Sequence, residues 1–238
     1  MLGGTAEARA LAAALAERGV PFVSSLAGRV SNPALPVGEV RVGGFGGADG
    51  LARYLRDDRI THVVDATHPF AATITANAAA ACTEVPLVVL RRLGWTERPG
   101  DQWRRVPTIE AAAARVAGAA PGSVFLTTGR RDLAAFADDN THHYLVRTVD
   151  PPAGPTPARM TLLLDRGPYT LEGELALMRE QDVHLLVTKD SGGPLTVAKL
   201  DAARELELPV IVVDRPPLPS GVNAVASVEA VLSQLGLG

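Results

Sequence analysis

The sequence has a single cysteine, Cys82, in 238 residues. One thiol excludes an intramolecular disulfide and any cysteine-based metal site, and it leans toward a reducing compartment. Aromatic residues make up only 4% of the chain, so a ligand pocket must be built mostly from small side chains, backbone and charge. Positive charge is not in excess: 23 basic residues against 26 acidic ones leave a formal net charge of −3. That excludes the global positive field of a nucleic-acid binder, whereas an anionic small molecule needs only a local cluster. Long apolar runs are missing as well. The softest stretch, AATITANAAAAC (71–82), is too short and polar to cross a bilayer, and no charged segment followed by an apolar core marks a secretory leader. The expectation is a cytoplasmic protein with no membrane partner, no nucleic acid and no metal.

What is present is a rhythm. Short apolar, β-branched runs at 21–25, 39–42, 62–66, 86–90, 123–127, 143–147, 184–188 and 209–213 read as strands. Alanine-rich runs at 6–18, 47–57, 70–82, 108–117, 131–138, 170–181, 195–206 and 226–235 read as helices. The alternation predicts an α/β protein with mostly parallel sheets, and the continuously apolar strands suit burial on both faces. The length allows one large domain or two small ones. The stretch RLGWTERPGDQWRRVP (92–107) breaks the rhythm and is read as a crossing between two Rossmann-like, doubly wound halves, 1–105 and 106–238, with a cleft between them. A second irregular stretch, DPPAGPTPARM (150–160), is proline-rich and read as a loop.

In such folds ligands sit at the carboxyl ends of strands, over helix N-termini. Those positions here carry Gly3-Gly4-Thr5, SSLAGR (24–29), GGFGG (43–47), DATHPF (65–70), TTGRRD (127–132) and TKDSGG (188–193). Gly3 and Gly4 allow backbone N–H groups to approach a phosphate, and the helix starting near Ala6 adds its positive end. Thr5 either caps that helix or bonds a phosphate oxygen. A plain strand–helix turn is the competing reading, because the spacing is not G-x-G-x-x-G. About 20 residues on, an NAD site places an acidic residue for the ribose. Here the segment offers Ser24, Ser25 and Arg29 and no acid, which suits a 2′-phosphate and predicts NADPH over NADH.

Asp65 ends its strand, and His68 precedes Pro69, which is read as the first helical residue. An aspartate and a histidine facing one cleft suit proton transfer, or else serve only as a strand-end anchor and a cap. Lys189 beside Ser191, Gly192 and Gly193 suits an anionic ligand. Arg130 and Arg131 can grip carboxylates, while Asp132 sits where a first helical turn favours an acid.

Together these stretches resemble the precorrin-6A reductase family, with its cobalt-precorrin-6A relatives. LGGTAEARALA, SLAGRV, VGGFGGADGLARYL, DATHPFAATITANA, VFLTTGRRDLAAF and TKDSGG…TVAKLDAARELELPVIVVDRP occur in the family's order and span nearly the whole chain. The resemblance implies a two-domain reductase that transfers hydride from NADPH to one double bond of a carboxylate-rich tetrapyrrole, converting precorrin-6A to precorrin-6B in corrin biosynthesis. It implies cofactor contacts at Gly3, Gly4, Thr5, Ser24, Ser25, Arg29, Gly44 and Thr67. It implies substrate contacts at Thr128, Gly129, Arg130, Arg131, Lys189, Ser191 and Gly192; the proton that accompanies the hydride comes from His68, Lys189 or solvent, with Asp65 beside them in the expected catalytic set. The sequence gives no oligomeric state; a monomer would suffice.

Two departures from the family pattern carry expectations. Only Met1 and Leu2 precede the glycine turn, so its strand is either very short or begins before the given start. Asp190 stands where the pattern has asparagine, and must pair with Lys189 or turn away from any anionic ligand. Two other classes compete. An S-adenosylmethionine-dependent methyltransferase would want an acid after the second strand, which 24–29 lacks. A non-catalytic NADPH sensor would leave TTGRRD and TKDSGG without purpose.

Overall fold

A computed structural model describes residues 1–28 and 34–238. In chain order the elements are α1 (Ala6–Glu17), β1 (Val23–Leu26), β2 (Glu39–Val42), α2 (Ala48–Asp57), β3 (Val63–Asp65), α3 (Ala72–Ala81) and β4 (Leu87–Leu90). There follow β5 (Gln102–Val106), α4 (Ile109–Ala117), β6 (Ser123–Leu126), β7 (His143–Thr148), β8 (Met160–Leu164), α5 (Leu171–Glu180) and β9 (Val183–Lys189). The chain ends with α6 (Ala198–Glu205), β10 (Pro209–Val213), β11 (Asn223–Val225) and α7 (Val228–Gln234). Every strand pair among the described residues is parallel, as the β-α alternation predicts. No helix among the described residues is long and apolar enough to cross a membrane.

Two compact units form: Met1–Leu93 with Pro216–Gly238, and Gly94–Arg215. The division expected after residue 105 lies elsewhere because of strand pairing. β5, hidden in the stretch read as a crossing, pairs with β10 and so belongs to the second unit. β11, which no apolar run announced, pairs with β4 and returns the C-terminal segment to the first unit. β8 is a further unannounced strand, pairing with β7 directly after the proline-rich loop.

In the first unit the glycine turn does have its strand. Leu2 N donates to Val64 O at 2.8 Å and Ala66 N donates to Leu2 O at 2.8 Å, while Gly3 N donates to Ser25 O at 2.9 Å and Ser25 N to Met1 O at 2.8 Å. Residues 1–3 thus lie between β1 and β3 and join the two groups of strands into one parallel sheet, ordered β2–β1–(1–3)–β3–β4–β11. Alternating residues point to opposite faces. Val64, Val88 and Leu90 pack with Leu11 and Leu15 of α1 and Val231 and Leu232 of α7. Leu2 and Val63 pack with Leu51 and Leu55 of α2 and Ala78 of α3. Helices on both faces make the unit doubly wound, and each fully buried leucine contributes about 1.5–3 kcal/mol.

The second unit is a six-stranded sheet ordered β5–β10–β9–β6–β7–β8. Phe125, Leu145, Leu186, Val210 and Val212 form its core with Met178 of α5 and Leu200 of α6. Helix starts follow local chemistry: the hydroxyls of Thr5, Thr108, Thr170 and Ser227 each accept the N–H three residues on, at 3.1–3.2 Å. The helix expected over 131–138 is only a 3-10 turn, Leu133–Phe136. Asp139 ends it by accepting from Thr141 N at 2.7 Å and Tyr144 Oη at 2.5 Å, which draws the chain toward β7. Pro69 lies in a turn ahead of α3, which starts at Ala72.

Candidate functional site

In an open parallel sheet the crevice for a ligand lies at the carboxyl edge, where the strand order reverses. In the first unit that point falls between residues 1–3 and β3, so it is flanked by the Gly3–Thr5 turn and the Asp65–His68 turn. In the second it falls between β6 and β9, flanked by Thr127–Asp132 and Lys189–Gly193. Four of the six glycine-rich or charged segments picked from the sequence therefore stand at the two switch points.

At the first, Gly4 has φ of 122° and nothing within 4 Å of where a Cβ would stand. Gly43 and Gly44, at the end of β2, are equally open. Of the two roles open to Thr5, capping is the one observed. Its hydroxyl accepts from Ala8 N at 3.1 Å and donates its only proton to Ala66 O at 2.8 Å, tying the glycine turn to the end of β3. Asp65 is buried, 1% exposed, and accepts from Thr67 N at 3.0 Å, Thr67 Oγ1 at 2.7 Å and Thr75 Oγ1 at 2.6 Å. Both carboxylate oxygens are thus bonded, so this geometry anchors the turn and α3 rather than freeing Asp65 as a base. The same bonds occupy Thr67. His68 is exposed, and its Nδ1 accepts from Phe70 N at 3.2 Å, which assigns the proton of the neutral imidazole to Nε2.

Ser24 and Ser25 separate by strand parity. Ser24 is fully buried and its Oγ has no hydrogen-bond partner among the described residues, so it faces the interior and not a phosphate. Ser25 is half-buried, and its Oγ accepts from Arg41 Nη1 at 3.4 Å. Arg29 lies outside the described residues. Arg41 is the residue that sequence reasoning missed. Its guanidinium donates to Gly43 O at 2.7 Å and Gly44 O at 2.9 Å and lies 4.0 Å from the Phe45 ring centroid. Its signal was an arginine in a short strand, two positions before GGFGG.

At the second switch point Lys189 Nζ pairs with Asp132 Oδ2 at 2.5 Å, across the ends of β9 and β6. Burial raises the Asp132 carboxyl above its ordinary range in spite of that ammonium. Thr128 Oγ1 is buried without a hydrogen-bond partner among the described residues. Gly129 beside it has φ of 97° and open space around it. Arg130 donates to Pro151 O at 3.3 Å and stands 3.7 Å from Asp150, while Arg131 is exposed. Ser191 and Gly192 continue the loop after Lys189, and Ser191 N donates to Lys189 O at 2.7 Å.

Of the two courses open to Asp190, it takes the second and turns away from Lys189. Its Oδ2 accepts from Arg105 Nη2 at 2.8 Å, its Oδ1 accepts from Trp95 N at 3.0 Å and lies 3.8 Å from Arg215 Nη2, and its backbone O accepts from Arg215 Nε at 2.7 Å. Trp95 also donates from Nε1 to Gly193 O at 2.9 Å. The tryptophan-bearing stretch is thus the brace of the TKDSGG loop. Only the fold brings Trp95 and Arg105 to it, since they lie 95 and 85 residues away in sequence.

Comparison with known proteins bears on the whole chain. Residues 1–236 match the model of a family described as precorrin-6x reductase CbiJ/CobK. The chain is similar to a precorrin-6A reductase of Rhodococcus erythropolis, 53% identical over 239 residues covering 99% of this chain and 96% of the relative. It is similar to a precorrin-6A reductase of Mycobacterium tuberculosis (strain ATCC 25618 / H37Rv), 54% identical over 231 residues covering 96% and 93%. A cobalt-precorrin-6A reductase of Priestia megaterium is 31% identical over 246 residues, covering 93% and 91%. A solved structure titled CobK precorrin-6A reductase superposes with a TM-score of 0.92 at 45% identity, covering 99% of this chain and 94% of that one.

Proposed function

The chain belongs to the precorrin-6x reductase family, and from that premise we infer that it reduces one double bond of precorrin-6A to give precorrin-6B, with NADPH as the hydride donor. The cobalt-free substrate is preferred because relatives named for it are 41–54% identical, against 27–31% for those named for the cobalt form. The observation that carries the assignment of sites is the gathering of the glycine turns and cationic loops at the two switch points.

The first unit fits a dinucleotide phosphate. A Cβ at Gly4, Gly43 or Gly44 would stand in open space, so a ligand can approach the backbone there, and Arg41 supplies a cation beside Gly43 and Gly44. NADPH, when bound, supplies the hydride; one proton completes the reduction. Gly3, Gly4 and Gly44 would hold the cofactor, with Thr5 tied to Ala66 O and Asp65 tied to Thr67 and Thr75 keeping the two turns rigid. The carboxylates of the macrocycle would meet the second unit's edge: the Thr128 hydroxyl, the Gly129 turn, Arg130, Arg131, Lys189 and the Ser191–Gly192 loop. His68 and Lys189 are the proton donors these edges offer. A reduced nicotinamide and a lone thiol, Cys82, suit the cytoplasm.

The test is oxidation of reduced nicotinamide on adding precorrin-6A, with NADPH and NADH in parallel. Rapid oxidation of NADPH with little of NADH supports the reading. Binding of NADPH without turnover of either the cobalt-free or the cobalt-containing macrocycle would leave a sensor in its place.

A further inference from the structure

We propose that Arg41, with Ser25, anchors the 2′-phosphate of the cofactor and sets the preference for NADPH over NADH; this rests on the reading that the first unit binds that cofactor.

Arg41 makes no salt bridge among the described residues, and the nearby carboxylates, Glu39 and Asp58, act on the Tyr54 ring it faces rather than pairing with it. Its three bonds run to neutral acceptors: Gly43 O, Gly44 O and Ser25 Oγ. Glu39 stands two residues back, on the same side of β2, and makes no ion pair with it among the described residues. A half-buried guanidinium is ordinarily matched by a carboxylate or a phosphate, because its charge is only partly solvated. The three bonds use three of the five N–H donors of a guanidinium, and Nε takes part in none of them. Donors remain for a bidentate contact, the geometry by which arginine selects phosphate.

The group is also held still. The Phe45 ring lies 4.0 Å from the guanidinium carbon and the Tyr54 ring 5.3 Å, both within cation–π range. Little side-chain freedom is left to lose when an anion arrives. Its position in the sheet suits a contact with the adenosine end of the cofactor. Arg41 is the register partner of Ser25, on the strand next to the glycine-turn strand's neighbour β1. Dinucleotide folds place the adenosine ribose over the carboxyl end of the strand that follows the glycine turn. Ser25 presents its hydroxyl there, and Ser24 does not, being turned into the core.

The test is equilibrium binding of 2′,5′-ADP and 5′-AMP, which differ only in the 2′-phosphate, to the full chain and to Arg41→Gln and Ser25→Ala. The wild type should bind 2′,5′-ADP the more tightly. Arg41→Gln should weaken 2′,5′-ADP about 10- to 100-fold and leave 5′-AMP within about twofold, since one charged hydrogen-bonding group is removed. Ser25→Ala, a milder change that keeps the turn, should lose about threefold, on 2′,5′-ADP alone. An equal loss on both nucleotides would make Arg41 a brace of the Gly43–Gly44 turn and overturn the proposal, as would no loss in either variant. A wild type that binds neither nucleotide, or both equally, would instead overturn the NADPH reading itself.

Discussion

Replacing Lys199 by methionine isolates the energetic consequence of one buried amine. Lys199 is 4% exposed, its Nζ donates to Thr196 O at 2.7 Å, and the Trp95 ring centroid is 4.8 Å away. Burial opposes the charged form most strongly and the Arg147 guanidinium adds to that, while Glu174 and the ring favour it. The pKa falls from 10.5 to about 7. Between those values the unfolded chain holds a proton that the folded chain has released. Stability is therefore greatest above about pH 10.5, declines as the pH falls toward about 7, and is flat below, where both forms are charged. Linkage with these values makes the native state about 2 kcal/mol more stable near pH 9 than near pH 7 through this group alone. The assay is urea unfolding of wild type and Lys199→Met at both pH values. Tryptophan fluorescence serves as the signal because both tryptophans, Trp95 and Trp103, lie in the second unit. Titrating groups that do not interact with Lys199 cancel in the double difference. The wild type should gain about 2 kcal/mol more than the variant between the two conditions, and the variant should be at least as stable near pH 7. Parallel pH dependence in the two proteins would refute the reasoning.

Asp65→Ala should lower stability by about 3 kcal/mol, because two threonine hydroxyls and one backbone N–H lose a charged acceptor. If unfolding measurements show no such loss while turnover disappears, Asp65 is a catalytic group after all. Gly4→Ala should raise the KM for NADPH more than it lowers kcat, since its Cβ meets nothing in the protein and only a bound phosphate would be crowded. The positive φ there adds about 1 kcal/mol of strain, visible as a lower Tm. Lys189→Met should raise the KM for the macrocycle about tenfold through loss of one carboxylate partner. It should also push the Asp132 carboxyl further up, readable as a shifted pH dependence of KM; an unchanged KM at every pH would remove Lys189 from the substrate site.

Much of the molecule was legible in the sequence. Short apolar runs marked eight strands, most plainly β4, β6, β7 and β10, which are buried on both faces and so read as continuous apolar runs. Alanine-rich runs marked seven helices, and the six motif segments marked the family. β5 was not legible: QWRRV is an edge strand with exposed arginines, so no apolar run announces it. β11 is three residues long, and the 1–3 strand is too short for any periodicity to register.

The sequence by itself determined the parallel α/β class and the loops that carry the chemistry, since both depend on local composition and spacing. The tertiary structure alone decided what each polar side chain in those loops does. Strand parity turned Ser24 inward and Ser25 toward Arg41. Partners 85 to 95 residues away drew Asp190 off Lys189 and left Lys189 to Asp132. Hydrogen bonds and ion pairs are settled by distances of about 3 Å between atoms, and which atoms come that close is decided by the order in which strands enter the sheet.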